Sequence, residues 1–507
     1  MSSLNHALFT SLLCLGSLPL VGQISMPSVQ EDGTRAGLVK AVGEGLFDSG
    51  AYACLAELTD TVGGRVTGSP AAQKAIEWAV NQMKTNGLTN VHKEPWTLFR
   101  GWTRGTATAE MIEPLQRKLY IDSLGWVGST PADGVDAQVV AVNLLNVESE
   151  TQHIERFRGK VVLIEAPDAP PKKIWVIFSR YGSFVSALER AGAVALIGGQ
   201  GGFKSQGMHL THTGSLIFAR EASLPIVSIA AEDQGQIERL LAAGRTVRIH
   251  INVQNSFTTG PVPTANIVGE ILGREEPEQI VVLGAHLDSW DLSEGATDNG
   301  TNVCSVLAAA RTLVKSESRP RRTIRFVLFM GEEQGELGST AYIHQHSTEL
   351  QNHIAAIVSD SGQGPISEAH LGRTDVVTSF KPFAKSLGNL VSLKVNDRAE
   401  FGTDTGPFVL AGLPGINLEQ DSPDYRYTIH SAADALEAAK PEVLERNATV
   451  LAATAYWLAN RSERFASPWP TAKTAAMLRE QDQYERLKAL DMWPFGDIGR
   501  TEEQKPN

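Results

Sequence analysis

The sequence predicts an α/β fold: a mainly parallel sheet covered by helices on both faces. Three observations lead there. Apolar runs such as Ile280-Val281-Val282-Leu283 are continuous rather than alternating, as in strands buried on both faces. These runs alternate with helix-length segments of helical periodicity, the pattern of parallel strands joined by helical crossovers. Polar and acidic residues gather directly after the apolar runs, where open parallel sheets bind ligands beyond the carboxyl ends of their strands.

The chain has 507 residues, too many for one compact core, and its 42% hydrophobic and 20% charged composition is that of a soluble globular protein. Its 45 basic and 57 acidic residues give a formal charge of −12, and no Lys/Arg block stands out. Nucleic acid and anionic membrane are therefore not expected partners.

Residues 1–23 differ from the rest. An apolar run over residues 7–21, broken by Ser, Gly and Pro, ends in Leu20-Val21-Gly22-Gln23. It is too short to span a bilayer and reads as a cleaved secretory signal, although no Lys or Arg precedes it. The expectation is an exported protein. Beyond the signal only Cys54 and Cys304 remain, both on helix-like segments, and they read as buried thiols rather than a disulfide framework.

Residues 30–125 carry helical periodicity over 71–84 and a strand over 91–99. From about Asp133 the chain changes to short strands (137–142, 159–164, 193–197, 224–229, 247–253) interleaved with helices near 152–157, 182–191 and 233–243. This reads as a self-contained module within 126–257, poor in catalytic groups. After the Gly/Pro/Thr-rich linker 258–264, the strand 280–284 precedes a helix over 302–314. The strands 323–330 and 354–358 follow, and a helix over 441–458 closes a core spanning 258–465. Residues 466–507 read as one helix, 471–490, and a polar tail.

The acidic residues now have a setting. His286 and Asp288 follow the first strand of the core, and Asp298 precedes the next helix. Glu332-Glu333 follow the second strand, Asp360 the third, and His430 lies in the loop "YRYTIHSAAD". Each has an ordinary explanation alone: a helix cap, a solvated turn, a hydrogen-bonded loop histidine. Their recurrence at successive strand ends does not.

Two histidines and three carboxylates supply the nitrogen and oxygen donors that zinc accepts, and one carboxylate can bridge two cations. Such a pair activates a water and polarises a carbonyl. It also needs a carboxylate that is not a ligand, to take the water's proton and pass it to the leaving amine. Adjacent Glu332 and Glu333 can divide these roles because neighbours on an extended turn point apart. Asp288, two residues past His286, is placed to orient its imidazole. Asp291 and Glu294 read as the solvated side of the same loop.

"GAHLDSWDLSEGATDNG", "FMGEEQGELGS", "VSDSG", "FGTDTGPFVLAGLPGINLEQD" and "YTIHSAAD" together resemble the motifs of the co-catalytic di-zinc exopeptidases of the bacterial-aminopeptidase type, peptidase family M28. The resemblance runs from about residue 45 to 460. It implies a catalytic domain begun in 30–125, an inserted protease-associated domain at 126–257, and a zinc peptidase core at 258–465. It further implies two zinc ions per chain, with His286 and Asp360 on one, Glu333 and His430 on the other, and Asp298 bridging both. Glu332 matches the general base and Asp288 the carboxylate behind His286. The implied substrate is a dipeptide or short peptide with a free terminus, cleaved from either end, and a homodimer is implied as well. Transferrin-receptor-like relatives keep the architecture without metals, so an intact ligand set favours an enzyme over a non-catalytic binding protein.

Two departures lie beside the ligands: Asn299 stands where relatives carry a second aspartate, and "HSAADAL" lacks a threonine usually found after the aspartate. Asn299, Asn447 and Asn460 each begin a glycosylation sequon. His209 and His212, in "HLTHTGS", lack a third ligand and read as structural or substrate-facing, over the cleft. Asp404 reads equally as a turn or a substrate contact, and Trp290 as packing beneath the metal loop.

Overall fold

The computed structural model describes residues 34–165, 171–198, 207–215 and 221–495. The expected signal, residues 1–23, and the end of the tail lie outside the described residues.

Eight strands build the core sheet: β1 Thr89–Leu98, β2 Val262–Ile271, β3 Glu276–His286, β4 Arg322–Phe329, β5 His353–Val358, β6 Ile366–His370, β7 Lys394–Asn396 and β8 Gly415–Gln420. They run in the order β1-β2-β4-β3-β5-β8-β6-β7. The central strands β4, β3, β5 and β8 are parallel, while β1 and β2 are antiparallel at one edge and β6 is antiparallel to β8. The parallel expectation therefore holds for the centre of a mixed sheet.

The unbroken apolar runs are explained by the pleat, because successive side chains leave a strand on opposite faces. Val281, Leu283 and Ala285 of β3 enter one hydrophobic cluster, and Ile280 and Val282 enter the other. The first face is covered by α1 Thr34–Asp48, α2 Ala51–Thr61, α3 Pro70–Thr85, α4 Thr301–Lys315 and α5 Pro441–Asn460. The second is covered by Leu337–Gln345 and Thr405–Leu410, through Tyr342 and Phe408.

α2 is the helix-like segment expected around Cys54, whereas α1 was not expected. Gly37, Gly43 and Gly45 depress the helical propensity of α1. Two of them serve close approach to α5: a Cβ on Gly37 would lie 2.1 Å from Tyr456 Oη, and one on Gly45 would lie 2.6 Å from Thr449 Oγ1.

A second eight-stranded sheet runs Arg117–Leu119, Ala107–Glu113, Arg248–Val253, Val135–Asn143, Lys160–Glu165, Ala195–Ile197, Ile226–Ile229, Ile121–Ser123. Helices Pro171–Ala191 and Ala231–Ala242 flank it. The expected boundary at residue 126 is too late, since three strands before it belong to this sheet. Ala107–Glu113 pairs with Arg248–Val253, a partner that local sequence cannot reveal. The expected single helix 471–490 is two, Thr471–Glu480 and Tyr484–Ala489. Asp482 between them has φ 60°, the left-handed conformation that ends helices. The helix placed at 152–157 is instead Val147–Gln152 followed by a 3₁₀ turn, Ile154–Phe157.

Among the described residues no helix is long and apolar enough to cross a membrane. Cys54 on α2 and Cys304 on α4 are free thiols; the expected burial holds for Cys304, while Cys54 is half-buried. None of the three sequon asparagines is accessible. Asn299 is fully buried, Asn447 donates to Gly364 O, and Asn460 donates to Thr34 Oγ1.

Candidate metal centre

Three parallel strands end side by side, and each delivers a ligand-type side chain. His286 is the last residue of β3, Glu332 and Glu333 follow β4, and Asp360 follows β5. The segment between β3 and α4 then turns back to bring Asp298 over the strand ends, and the loop after β8 brings His430. The structure thus gathers all five expected ligands with Glu332.

His286 Nε2 lies 3.1 Å from Asp360 Oδ1 and 3.3 Å from Asp298 Oδ1. His430 Nε2 lies 3.0 Å from Glu333 Oε2 and 3.2 Å from Asp298 Oδ2. One carboxylate therefore gives one oxygen to each imidazole. A single ring N–H can satisfy only one acceptor, yet each Nε2 faces two. For His286 the conflict is sharper. Its Nδ1 lies 3.1 Å from the carbonyl oxygen of Asp288, which can only accept, so Nδ1 carries the proton and the neutral ring's Nε2 is a lone pair. A lone pair among carboxylate oxygens is repelled unless a second proton or a metal cation lies between them, and the Asp360, Asp288 and Asp298 carboxylates favour positive charge on this ring. Separations of 3.0–3.3 Å also match the ~3.3 Å edge of a tetrahedron with 2.0–2.1 Å bonds. Glu333 Oε1, buried with no hydrogen-bond partner, fits the same donor set. Ligand atoms of His286, Glu332 and Asp360 lie within 4.8 Å of one another, as do those of His286, Asp298 and Glu333.

The supports behind these side chains come from distant parts of the chain. Trp290 Nε1 donates to Glu333 Oε2 at 2.6 Å, and its ring meets His430 edge-on, so it does more than pack. Asp288 orients His286 through its backbone carbonyl. Its carboxylate, 3.7 Å from Nδ1, instead accepts from Thr67 Oγ1 at 2.8 Å and from the Glu332 amide at 3.3 Å. Asp434 accepts the Thr297 and Asp298 amides, which fixes the bridging residue, and burial pushes its carboxyl up to about 7.

Arg65, fully buried, donates to Leu287 O, Glu294 O and Gly295 O and so pins both ends of the acidic loop. Asp434 is the aspartate of "YTIHSAAD", and Arg65 and Thr67 stand in "LTDTVGGRVTGSPAAQKAI", but nothing in their residue types gave them a role. Asn299 donates to Ser359 O and accepts from Asn302, so the departure from aspartate supplies a donor where a carboxylate would face a carbonyl.

Burial raises the Glu332 carboxyl well above its ordinary range, and the Asp360, Glu333 and Asp404 charges add to this against His286. Burial likewise brings Glu333 to about 7 against the pull of His430. A group held up in this way is suited to accept and return a proton near neutrality.

Other expectations need correcting. Asp291 and Glu294 are half-buried and more than a solvated edge: Asp291 takes Arg104 Nε and Nη2 at 2.8 and 2.7 Å, and Glu294 Oε2 accepts the Leu436 amide. Asp404 lies, fully buried, in the turn that leads into Thr405–Leu410, which agrees with the turn reading. The "HTG" loop does lie on the site: the Thr213 amide donates to His430 O at 2.8 Å, and Ser215 Oγ to Glu333 O at 3.1 Å. His212 Nε2 lies 3.3 Å from Arg426 O, while His209 is exposed beside Glu232.

Residues 266–455 match peptidase family M28. Carboxypeptidase Q of Rattus norvegicus is 32% identical over 83% of this chain and 87% of its own length; that of Homo sapiens is 30% identical over 81% and 86%. The chain belongs to peptidase family M28. It is a zinc-dependent metallopeptidase, a hydrolase of peptide bonds. A peptidase M28 precursor from Shewanella amazonensis has a similar structure, with a TM-score of 0.73 at 28% identity over 87% of this chain and all of that one. A zinc aminopeptidase from Bacillus subtilis shares the fold, with a TM-score of 0.62 at 22% identity over 83% of this chain and 97% of that one.

Proposed function

We propose that the protein is an exported di-zinc exopeptidase that cleaves dipeptides or short peptides with a free terminus. The observation that carries this reading is Asp298 offering one oxygen to each of two imidazoles that already face a second carboxylate. His286 and Asp360 would hold one zinc, Glu333 and His430 the other, and Asp298 both. Bound zinc would supply Lewis acidity to the scissile carbonyl and lower the pKa of the attacking water. Glu332, beside His286 and Asp360, takes the proton of that water and returns it to the leaving nitrogen. Asp288 keeps His286 in the tautomer whose Nε2 is free to coordinate, and its carboxylate fixes the Glu332 backbone. The second sheet serves as a protease-associated module whose 211–215 loop walls the cleft.

Glu332→Gln tests the reading. It should cut kcat by roughly 10²–10⁴-fold while two zincs remain bound per chain; undiminished hydrolysis would exclude Glu332 as the base. The relatives' names point to a carboxypeptidase, while a probable leucine aminopeptidase 2 of Trichophyton verrucosum, 27% identical over 55% of this chain and 50% of its own length, points to the other terminus. Dipeptides, N-blocked peptides and C-amidated peptides separate these, because loss of cleavage with one kind of blocked end identifies the terminus that is read.

A further inference from the structure

Away from the metal centre, two thiols from distant parts of the chain face each other. Cys54, half-buried on α2, and Cys304, fully buried on α4, have sulfurs 2.6 Å apart across 250 residues of sequence. Neither metal-capable cluster among the described residues includes a cysteine, and two sulfurs alone do not make a zinc or iron–sulfur site. The helices that carry them pack in one hydrophobic cluster, so the sulfurs are held together in the folded protein.

We propose that Cys54 and Cys304 form a disulfide when the protein meets an oxidising low-molecular-weight or protein disulfide. Cys54, the accessible partner, attacks the external disulfide through its thiolate and expels one thiolate, giving a mixed disulfide. Cys304 then gives up its proton and attacks the Cys54 sulfur, and the second thiolate leaves. Two protein thiols are oxidised by two electrons, one external disulfide is reduced to two thiols, and the two protons pass to the departing thiolates. Burial pushes the Cys304 thiol well up, which leaves the first attack to Cys54, and Cys304 resolves because its sulfur is held beside that of Cys54.

The bond would tie together the two segments flanking the acidic loop. Beyond α2 come Arg65 and Thr67, which hold Leu287, Gly295 and Asp288. Before α4 comes Asp298. A cross-link closing so long a loop restricts the unfolded chain strongly.

The test uses the full chain incubated with oxidised glutathione, then denatured, alkylated with a maleimide and digested with trypsin. The expected product is residues 41–65 joined to residues 275–311, two hydrogens lighter than the separate peptides; peptide-level assignment also keeps Cys14 out of the count. Recovery of both cysteines as maleimide adducts, or of Cys54 as a stable glutathione adduct, would overturn the proposal. Oxidised protein should melt roughly 5–10 °C above reduced protein. That difference should vanish in Cys54→Ser, a change at a half-exposed position. No difference in the parent, or its persistence in the variant, would also overturn it.

Discussion

Trp290→Phe removes one hydrogen bond from the metal centre and little else. The indole Nε1 donates to Glu333 Oε2 at 2.6 Å, while the other Glu333 oxygen is buried without a partner. The indole and His430 Nε2, 3.0 Å from the same oxygen, set the direction of this carboxylate, and the indole remains to do so when His430 turns to a metal. Phenylalanine keeps an aromatic ring against His430 and Trp126, whose centroids lie 6.0 and 6.2 Å from that of Trp290, so folding should survive. A hydrogen bond to a charged group contributes about 1.5–3 kcal/mol, and losing such a support behind a ligand typically lowers metal affinity or activity roughly 10–100-fold, an equivalent range. The expected result is that loss in zinc affinity, measured by competition with a chelator, and a matching fall in kcat/KM that excess zinc partly restores. Affinity and kcat/KM both within about twofold of the parent would refute the assignment of Trp290 as the residue that positions Glu333.

Arg65→Lys keeps a charge but cannot serve Leu287 O, Glu294 O and Gly295 O together. Chemical denaturation should show a loss of at least about 3 kcal/mol, with reduced zinc content at equal protein concentration. Gly125→Ala puts a methyl 2.3 Å from the Trp290 ring and should lower stability by about 1–3 kcal/mol, with zinc retention falling in parallel.

His353 gives a pH signature far from the metal centre. Burial lowers its pKa to about 4, and its Nδ1 donates to Glu349 O while Nε2 accepts from Tyr342. An imidazole whose folded pKa lies below its unfolded 6.5 is held neutral, so its contribution is complete above pH 6.5 and is lost as pH falls toward 4. Urea unfolding at pH 7 and pH 5 should show the parent losing about 2 kcal/mol more than His353→Gln. Equal losses would contradict a buried neutral histidine.

The metal centre was legible because its chemistry is local. A strand end fixes where His286, Glu333 and Asp360 point, and a continuous apolar run marks that strand without knowledge of its neighbours. The parts that escaped are those whose meaning lies in a remote partner. Asp291 and Glu294 looked solvated because Arg104 lies in the segment entering the second sheet, and the Leu436 amide lies in a loop beyond the last core strand. Arg65 drew no reading because its four acceptors, Gly63 O, Leu287 O, Glu294 O and Gly295 O, are backbone carbonyls, which leave no trace in composition. The boundary at residue 126 failed similarly, since only pairing with Arg248–Val253 assigns Ala107–Glu113 to a sheet. The division has a physical basis. A ligand must present a particular donor atom and so narrows its residue type, whereas a support needs only some group of the right polarity at the right distance. The sequence therefore names the atoms that would hold zinc more readily than the scaffold that holds those atoms. Arg65, Thr67, Trp290 and Asp434 are accordingly the positions where substitution should change metal affinity without changing the ligand set.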